Sequence, residues 1–271
     1  MNISGMQRWE FTFLCLIVFG SSVQALVPAT PYAFSKATTR GTQRCTSASS
    51  IIVAHGTADA NSKEGAIERR VRIKEELFAL AASSSSSSTT TSNGEEERLS
   101  ALVAELIDLN PTLNPGLESS FESLAGGTWR VVHAPHIRRL SRYFGTDFNP
   151  IRYILSPGSN ESSQGGGGIL SNVRYESGIL GAGWLSAKGT YESIDATSTR
   201  ISFDSFWWRP NSDVPGSGPR DGALSPIIQS IGTLGFVPSL SRFPVDYLDD
   251  DTCVFSFPPL SVKITARKEP W

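Results

Sequence analysis

The sequence predicts a mainly-β protein: two N-terminal helices, then several short strands forming a sandwich or a closed barrel, with one short helix before the last strands. Three observations lead there. From Gly126 onward apolar residues recur at period two, plainly in Ile201-Ser202-Phe203-Asp204-Ser205, which places Ile201 and Phe203 on one face. Gly- and Pro-containing breaks, among them Gly165–Gly168 and Pro210–Gly222, divide this half into short segments. Upstream, two stretches instead carry apolar residues at helical spacing. A barrel of about eight strands is just wide enough to hold one small ligand.

The chain begins with an address. Arg8 precedes the apolar run Phe11–Gly20, and Val23-Gln24-Ala25 offers small or branched residues where a signal peptidase reads. That order predicts a signal peptide over 1–25, with an apolar run too short to span a bilayer comfortably. Residues 26–54 hold Lys36, Arg40 and Arg44, no acidic residue and many Ser and Thr, the composition of a transit peptide. A disordered transit-like segment is therefore expected over 26–62. The two together resemble the bipartite presequence of algae whose plastids lie within extra membranes, which implies a plastid protein delivered through the secretory route. Leu26 and Phe34, each after an alanine, are candidates for its cleavage point. The alternative is a secreted protein, for which Asn160-Glu161-Ser162 would be a glycosylation sequon.

The body follows at 63–271. Residues 63–82 predict an amphipathic helix through Ile67, Val71, Leu77, Phe78 and Ala81. Ser83–Ser92 is all Ser or Thr and reads as a flexible linker, extended to 83–94. A second helix is expected over 95–109, with Leu99, Leu102, Val103, Leu106 and Leu109 as its stripe and Asn110-Pro111 as its stop. Candidate strands are 127–134, 151–156, 169–177, 184–194, 199–209, 246–257 and 260–268. The uncharged stretch 222–241 contains Pro226, Gly232, Gly235 and Pro238, so it does not read as a membrane span. Ser225-Pro226 instead starts a short helix with Ile227, Ile231 and Leu234 on one face. With Phe236 these residues are candidates for a lid over a barrel mouth or for contact with a lipid surface.

Charge narrows the function. Residues 1–94 carry nine Lys/Arg and six Asp/Glu, whereas 95–271 carry fifteen and twenty. An acidic body offers no footprint for nucleic acid. Of three cysteines only Cys253 lies in the body, where it reads as a small apolar strand residue and cannot form an intrachain disulfide.

Particular segments, in order, resemble the plastid lipid-associated proteins, or plastid fibrillins. Lys74-Glu75-Glu76-Leu77-Phe78 is similar to that family's opening helix, and Leu109-Asn110-Pro111-Thr112-Leu113-Asn114-Pro115 to the segment that follows its second helix. Leu124-Ala125-Gly126-Gly127-Thr128-Trp129-Arg130-Val131-Val132 resembles its first strand. Val245-Asp246-Tyr247-Leu248-Asp249-Asp250-Asp251 resembles a late strand, and Val262–Arg267 the closing one. The likeness covers about residues 70–268. The Ser/Thr tract and Thr252-Cys253 depart from the family's pattern.

The resemblance implies a lipocalin-like barrel and attachment to thylakoid or plastoglobule lipids, with hydrophobic metabolites such as quinones, carotenoids or fatty acids as partners. It implies no enzyme activity and no cofactor. In such a barrel the first and last strands meet, so Gly127, Trp129 and Arg267 are expected to close it, the guanidinium stacking on the indole. A soluble carrier of one hydrophobic ligand is the alternative. An enzyme acting on a lipophilic substrate within the same barrel is a third reading, one that needs titratable groups in the cavity.

For the site, Phe206-Trp207-Trp208 supplies consecutive aromatics. Trp184, Tyr191, Phe203 and Trp207 are the candidate pocket, either lining it or simply filling the core. His133-Ala134-Pro135-His136 lacks a third ligand at metal spacing and reads as an exposed strand end. Asp249–Asp251 reads as a solvated strand end, since neighbouring strand residues point to opposite sides. No Gly-x-Ser-x-Gly elbow occurs, Gly178–Gly183 lacks the dinucleotide order, and any catalytic triad would need His133 or His136.

Overall fold

The structure, a computed structural model, describes residues 58–86, 93–117, 125–158, 166–178, 181–219, 229–230 and 241–270. The presequence over 1–57 and the lid candidates Ile227, Ile231, Leu234 and Phe236 lie outside the described residues.

Two helices lead, α1 (Ala58–Ser86) and α2 (Asn93–Asp108). Helix α1 starts within the stretch expected to be disordered and runs four residues into the serine tract. Its buried face is Ile73, Leu77 and Ala81, at i, i+4 and i+8; Ile67 and Val71 are exposed. The expected stripe of α2 is buried at Leu99, Leu102, Val103 and Leu106. Both helices pack on Tyr247 and Val254, outside the barrel.

The barrel strands are β1 (Gly127–His133), β3 (Ile151–Ser156), β4 (Gly166–Ser177), β5 (Gly181–Asp195), β6 (Ser198–Pro210), β7 (Arg242–Leu248), β8 (Thr252–Phe257) and β9 (Val262–Lys268). Pairing runs β4-β3-β1-β9-β8-β7-β6-β5 and returns through β5 to β4, closing eight antiparallel strands. A two-residue strand, β2 (Thr146–Asp147), adds to β4 outside the ring. Closure leaves no edge among the eight for another chain to pair with. The expected strand 246–257 is two strands, because Asp249–Asp251 form the turn between β7 and β8.

Helix α3 (Pro135–Phe144) was not expected from the sequence. Pro135 occupies its first turn, where a missing N–H costs nothing, and Gly145 ends it at φ 58°. Its Ile137 and Leu140 join Phe148, Tyr175, Leu185, Phe206 and Trp208 in a cluster that fills one end of the barrel. A second cluster, with Trp129, Ile169, Tyr191, Val245 and Leu248, occupies the other. Tyr153 and Phe203 belong to both. Gln229 and Ser230, within the region expected to form the inserted helix, are helical.

Candidate functional site

Between the two clusters lies a cavity of about 110 Å³. Its wall is aromatic and aliphatic, and among the described residues Lys, Arg, Asp and Glu are absent from its lining. Among the described residues its polar side-chain atoms come from Ser171, Thr199, His136, Tyr153, Tyr191, Cys253 and the indole of Trp129. An apolar space with a few polar groups is the usual form of a small-molecule site.

Of the four expected pocket residues, Tyr191 and Phe203 line the cavity, whereas Trp184 and Trp207 do not. The reason is register. On β5 the inward positions are Leu185, Ala187, Gly189 and Tyr191, which sends Trp184 outward beside Arg174, 6.0 Å from its ring. On β6 a bulge falls at Asp204, since Lys188 pairs with Ser205 but Gly189 with Phe203. One extra residue moves the inward face from odd to even positions. Ile201 and Phe203 therefore face the cavity, then Phe206 and Trp208 face inward, and Trp207 turns out to donate its indole N–H to the Pro215 carbonyl at 3.0 Å.

The bulge leaves backbone groups off the ladder, and Gln229 serves them. Its Oε1 accepts from Phe206 N at 2.9 Å and its Nε2 donates to Asp204 O at 2.5 Å. Small residues make room elsewhere. A Cβ on Gly167 would lie 2.5 Å from Tyr191 Oη and 2.1 Å from Ser156 O. Tyr191 thereby passes over the glycine and donates to Ser156 O at 3.3 Å.

The closure residues need one correction. Strands β1 and β9 do pair, and Trp129 is buried, donating its indole N–H to Ala125 O at 2.6 Å. Arg267, however, alternates to the outer face and sits 4.5 Å above the ring of Phe78 on α1. The cation over Trp129 is Lys268, at 5.4 Å, because Lys268 is the residue in register with it. Gly127 adopts φ 118°, a conformation glycine accepts readily.

The polar segments singled out by the sequence meet outside the cavity. Lys74 donates to Asp249 at 3.0 Å and to Asp251 at 2.6 Å. Tyr247 Oη also donates to Asp249. Asn110 Nδ2 donates to Asp246 O and Thr112 Oγ1 to Leu248 O. Three of the family-like segments thus lash the helices to the β7–β8 hairpin, and Asp249–Asp251 is a docking turn rather than a solvated strand end. His133 is likewise no exposed strand end: it is 2% exposed, with Nε2 3.8 Å from Glu96. Burial, then the nearby charge of Arg138, lowers it to about 4. His136 leaves His133 for the cavity wall, and burial followed by Arg139 lowers it to about 4 as well. Both imidazoles are neutral at pH 7, and neither Nδ1 has a hydrogen-bond partner among the described residues.

Sequence reasoning missed Tyr153, His136 and the Phe243–Phe255–Phe257 group. Burial raises Tyr153 and Cys253 each to about 12, so both stay protonated. Tyr153 was legible only as one strand residue among many, and His136 needed α3 to turn it inward. Compared with known proteins, the chain matches no family model, no curated protein and no solved structure.

Proposed function

We propose that this chain is a plastid lipid-associated protein of the fibrillin type, acting without catalysis to hold hydrophobic metabolites and to attach to lipid. The observation that carries this reading is the aromatic-lined cavity within an eight-stranded barrel, whose lining among the described residues carries no charged side chain. Burying apolar surface at about 25 cal/mol per Å² drives such binding, and an uncharged wall favours neutral, poorly soluble ligands. The family-like segments support the assignment by acting as a set, since they dock the two helices on the barrel. The presequence reading supports delivery to a plastid through the secretory route.

One observation favours lipid-surface contact in addition. Leu113, 95% exposed, lies with the exposed Leu117 and Ile194 around Gly116, whose N–H donates to Ala196 O at the β5–β6 turn. Apolar side chains grouped there would enter a monolayer.

The test exposes the purified protein to a total pigment and lipid extract, followed by gel filtration and mass spectrometry of what stays bound. One class of hydrophobic metabolite at near-equal stoichiometry is expected for the carrier role. Flotation with lipid particles carrying mixed lipids, with nothing retained in their absence, would make the barrel a scaffold for a surface coat. Failure of both would refute the proposal.

A further inference from the structure

The outer wall of the barrel carries a row of cationic and aromatic side chains that the cavity does not use. Arg174 on β4 is in register with Trp184 on β5, and Trp184 with Arg209 on β6, so the three stand side by side on one face. The row spans two strand spacings, about 10 Å between the arginine Cα atoms, a distance two arginine side chains can bridge. The Arg174 guanidinium lies 6.0 Å from the centre of the Trp184 ring. Arg209 is held from its other side by the loop that follows β6. Gly216, at φ 74°, passes so close that a Cβ there would lie 2.7 Å from Arg209 Cζ, and Arg209 Nη2 donates to Gly218 O at 2.9 Å.

The row is rich in donors and poor in acceptors. Trp184 is 4% exposed, and its Nε1 is buried with no hydrogen-bond partner. Arg209 Nε is buried and unpartnered as well. Among the described residues neither Arg174 nor Arg209 is salt-bridged, and Glu176 and Asp213 nearby in sequence are exposed. Arg152, Arg200 and Arg242 on other barrel strands differ, since each meets a carboxylate at 3.0 Å or less. A buried donor without a partner is unfavourable, so an acceptor that reaches these groups gains by relieving them. Both guanidiniums are part-exposed, which leaves the row open to solvent at its two ends. A phosphate group carries about two negative charges near pH 7, enough to answer both arginines, and its oxygens point in several directions at once. A carboxylate has one charge and lies in one plane, which suits a single guanidinium fork.

We propose that Arg174, Trp184 and Arg209 form a phosphate-binding site on the outer wall of the barrel, for free phosphate or the phosphate group of a larger molecule. Trp184 Nε1 and Arg209 Nε donate to its oxygens, and Arg174 supplies the second counter-charge. Hydrogen bonds to a charged oxygen are stronger than neutral ones, and the indole is out of water, where they strengthen further. The site is separate from the cavity, so it stands or falls independently of the carrier role.

NMR of the full chain, isotope-labelled at its indole nitrogens, tests the proposal. Inorganic phosphate is titrated at constant ionic strength, with chloride as the control. One indole resonance, identified as Trp184 by its absence from Trp184→Phe, is expected to shift and saturate with a dissociation constant on the order of 1 mM. Arg174→Gln removes a guanidinium that makes no hydrogen bond among the described residues, so the thermal midpoint without phosphate should hold while phosphate binding weakens about tenfold. Arg209→Lys keeps the charge but loses Nε, and should weaken binding about tenfold as well. Glycerol phosphate binding more tightly than inorganic phosphate would identify the ligand as part of a larger molecule, and the reverse order would identify the free ion. A Trp184 resonance that stays fixed up to about 50 mM phosphate, that moves equally with chloride, or that responds unchanged in Arg174→Gln would overturn the proposal.

Discussion

Replacing Lys74 with methionine keeps the length and apolar stem of the side chain and removes only its ammonium. In the native protein that ammonium holds α1 to the β7–β8 turn through Asp249 and Asp251. The Lys74 and Asp249 side chains are 16% and 15% exposed, so the variant leaves a largely buried carboxylate with Tyr247 Oη as its remaining side-chain donor. Removing one partner of a fully buried pair costs about 3–5 kcal/mol, and an exposed pair contributes about 0–1 kcal/mol. This pair lies between those limits, and Asp251, 46% exposed, is screened and adds little. A loss of about 2 kcal/mol is expected, read as a lower urea midpoint at unchanged slope. Asp249→Asn in the Lys74→Met background should restore about half, because the stranded charge is gone.

The same contact fixes a pH signature. Burial opposes the charge on Lys74, but its hydrogen bonds to Asp251 and Asp249 outweigh burial and hold its pKa above the ordinary 10.5. Burial also disfavours ionised Asp251, and the hydrogen bonds from Lys74 and Thr252 outweigh it, holding its pKa below 3.8. The lysine's contribution is therefore complete below pH 10.5 and lost as pH rises through the higher folded value. The aspartate's is complete above pH 3.8 and lost as pH falls through the lower folded value. Between these limits the cost of Lys74→Met should be flat. A cost under about 0.5 kcal/mol at pH 7 would mean that the turn is held by apolar packing alone, and the reasoning would be refuted.

Two further predictions concern the interior. Gly167→Ala would force a methyl against the Ser156 carbonyl and Tyr191, and should lower stability by about 3 kcal/mol in thermal unfolding; a neutral result would mean β3 and β4 separate easily there. His133 and His136 are both buried neutral with pKa values lowered from 6.5 to about 4, so stability present above pH 6.5 should decline as the pH falls toward 4, by roughly 3 kcal/mol for each. A His133 imidazole that titrates near 6.5 by NMR would contradict the burial of His133 beneath α2.

The local rules of the chain settled most of its elements. Period-two alternation located the strands, Asn110-Pro111 stopped α2, and the spacing of Leu99, Leu102, Val103 and Leu106 identified its buried face. Tyr191 and Phe203 were legible as pocket residues because each lies on a strand whose local alternation persists to that position. What alternation could not carry is a phase change. The bulge at Asp204 depends on Gln229, twenty-five residues away, accepting from and donating to the freed backbone, and it decides that Phe206 and Trp208 face in while Trp207 faces out. Likewise Arg267 and Lys268 are neighbours with equal charge, and only the register of β9 against β1 determines which one covers Trp129. The turn at Asp249–Asp251 and the inward turn of His136 depend on contacts made by α1 and α3. Sequence specifies what repeats along the chain; tertiary structure determined the cavity, because its wall is assembled from residues whose facing is set by partners far away in the chain.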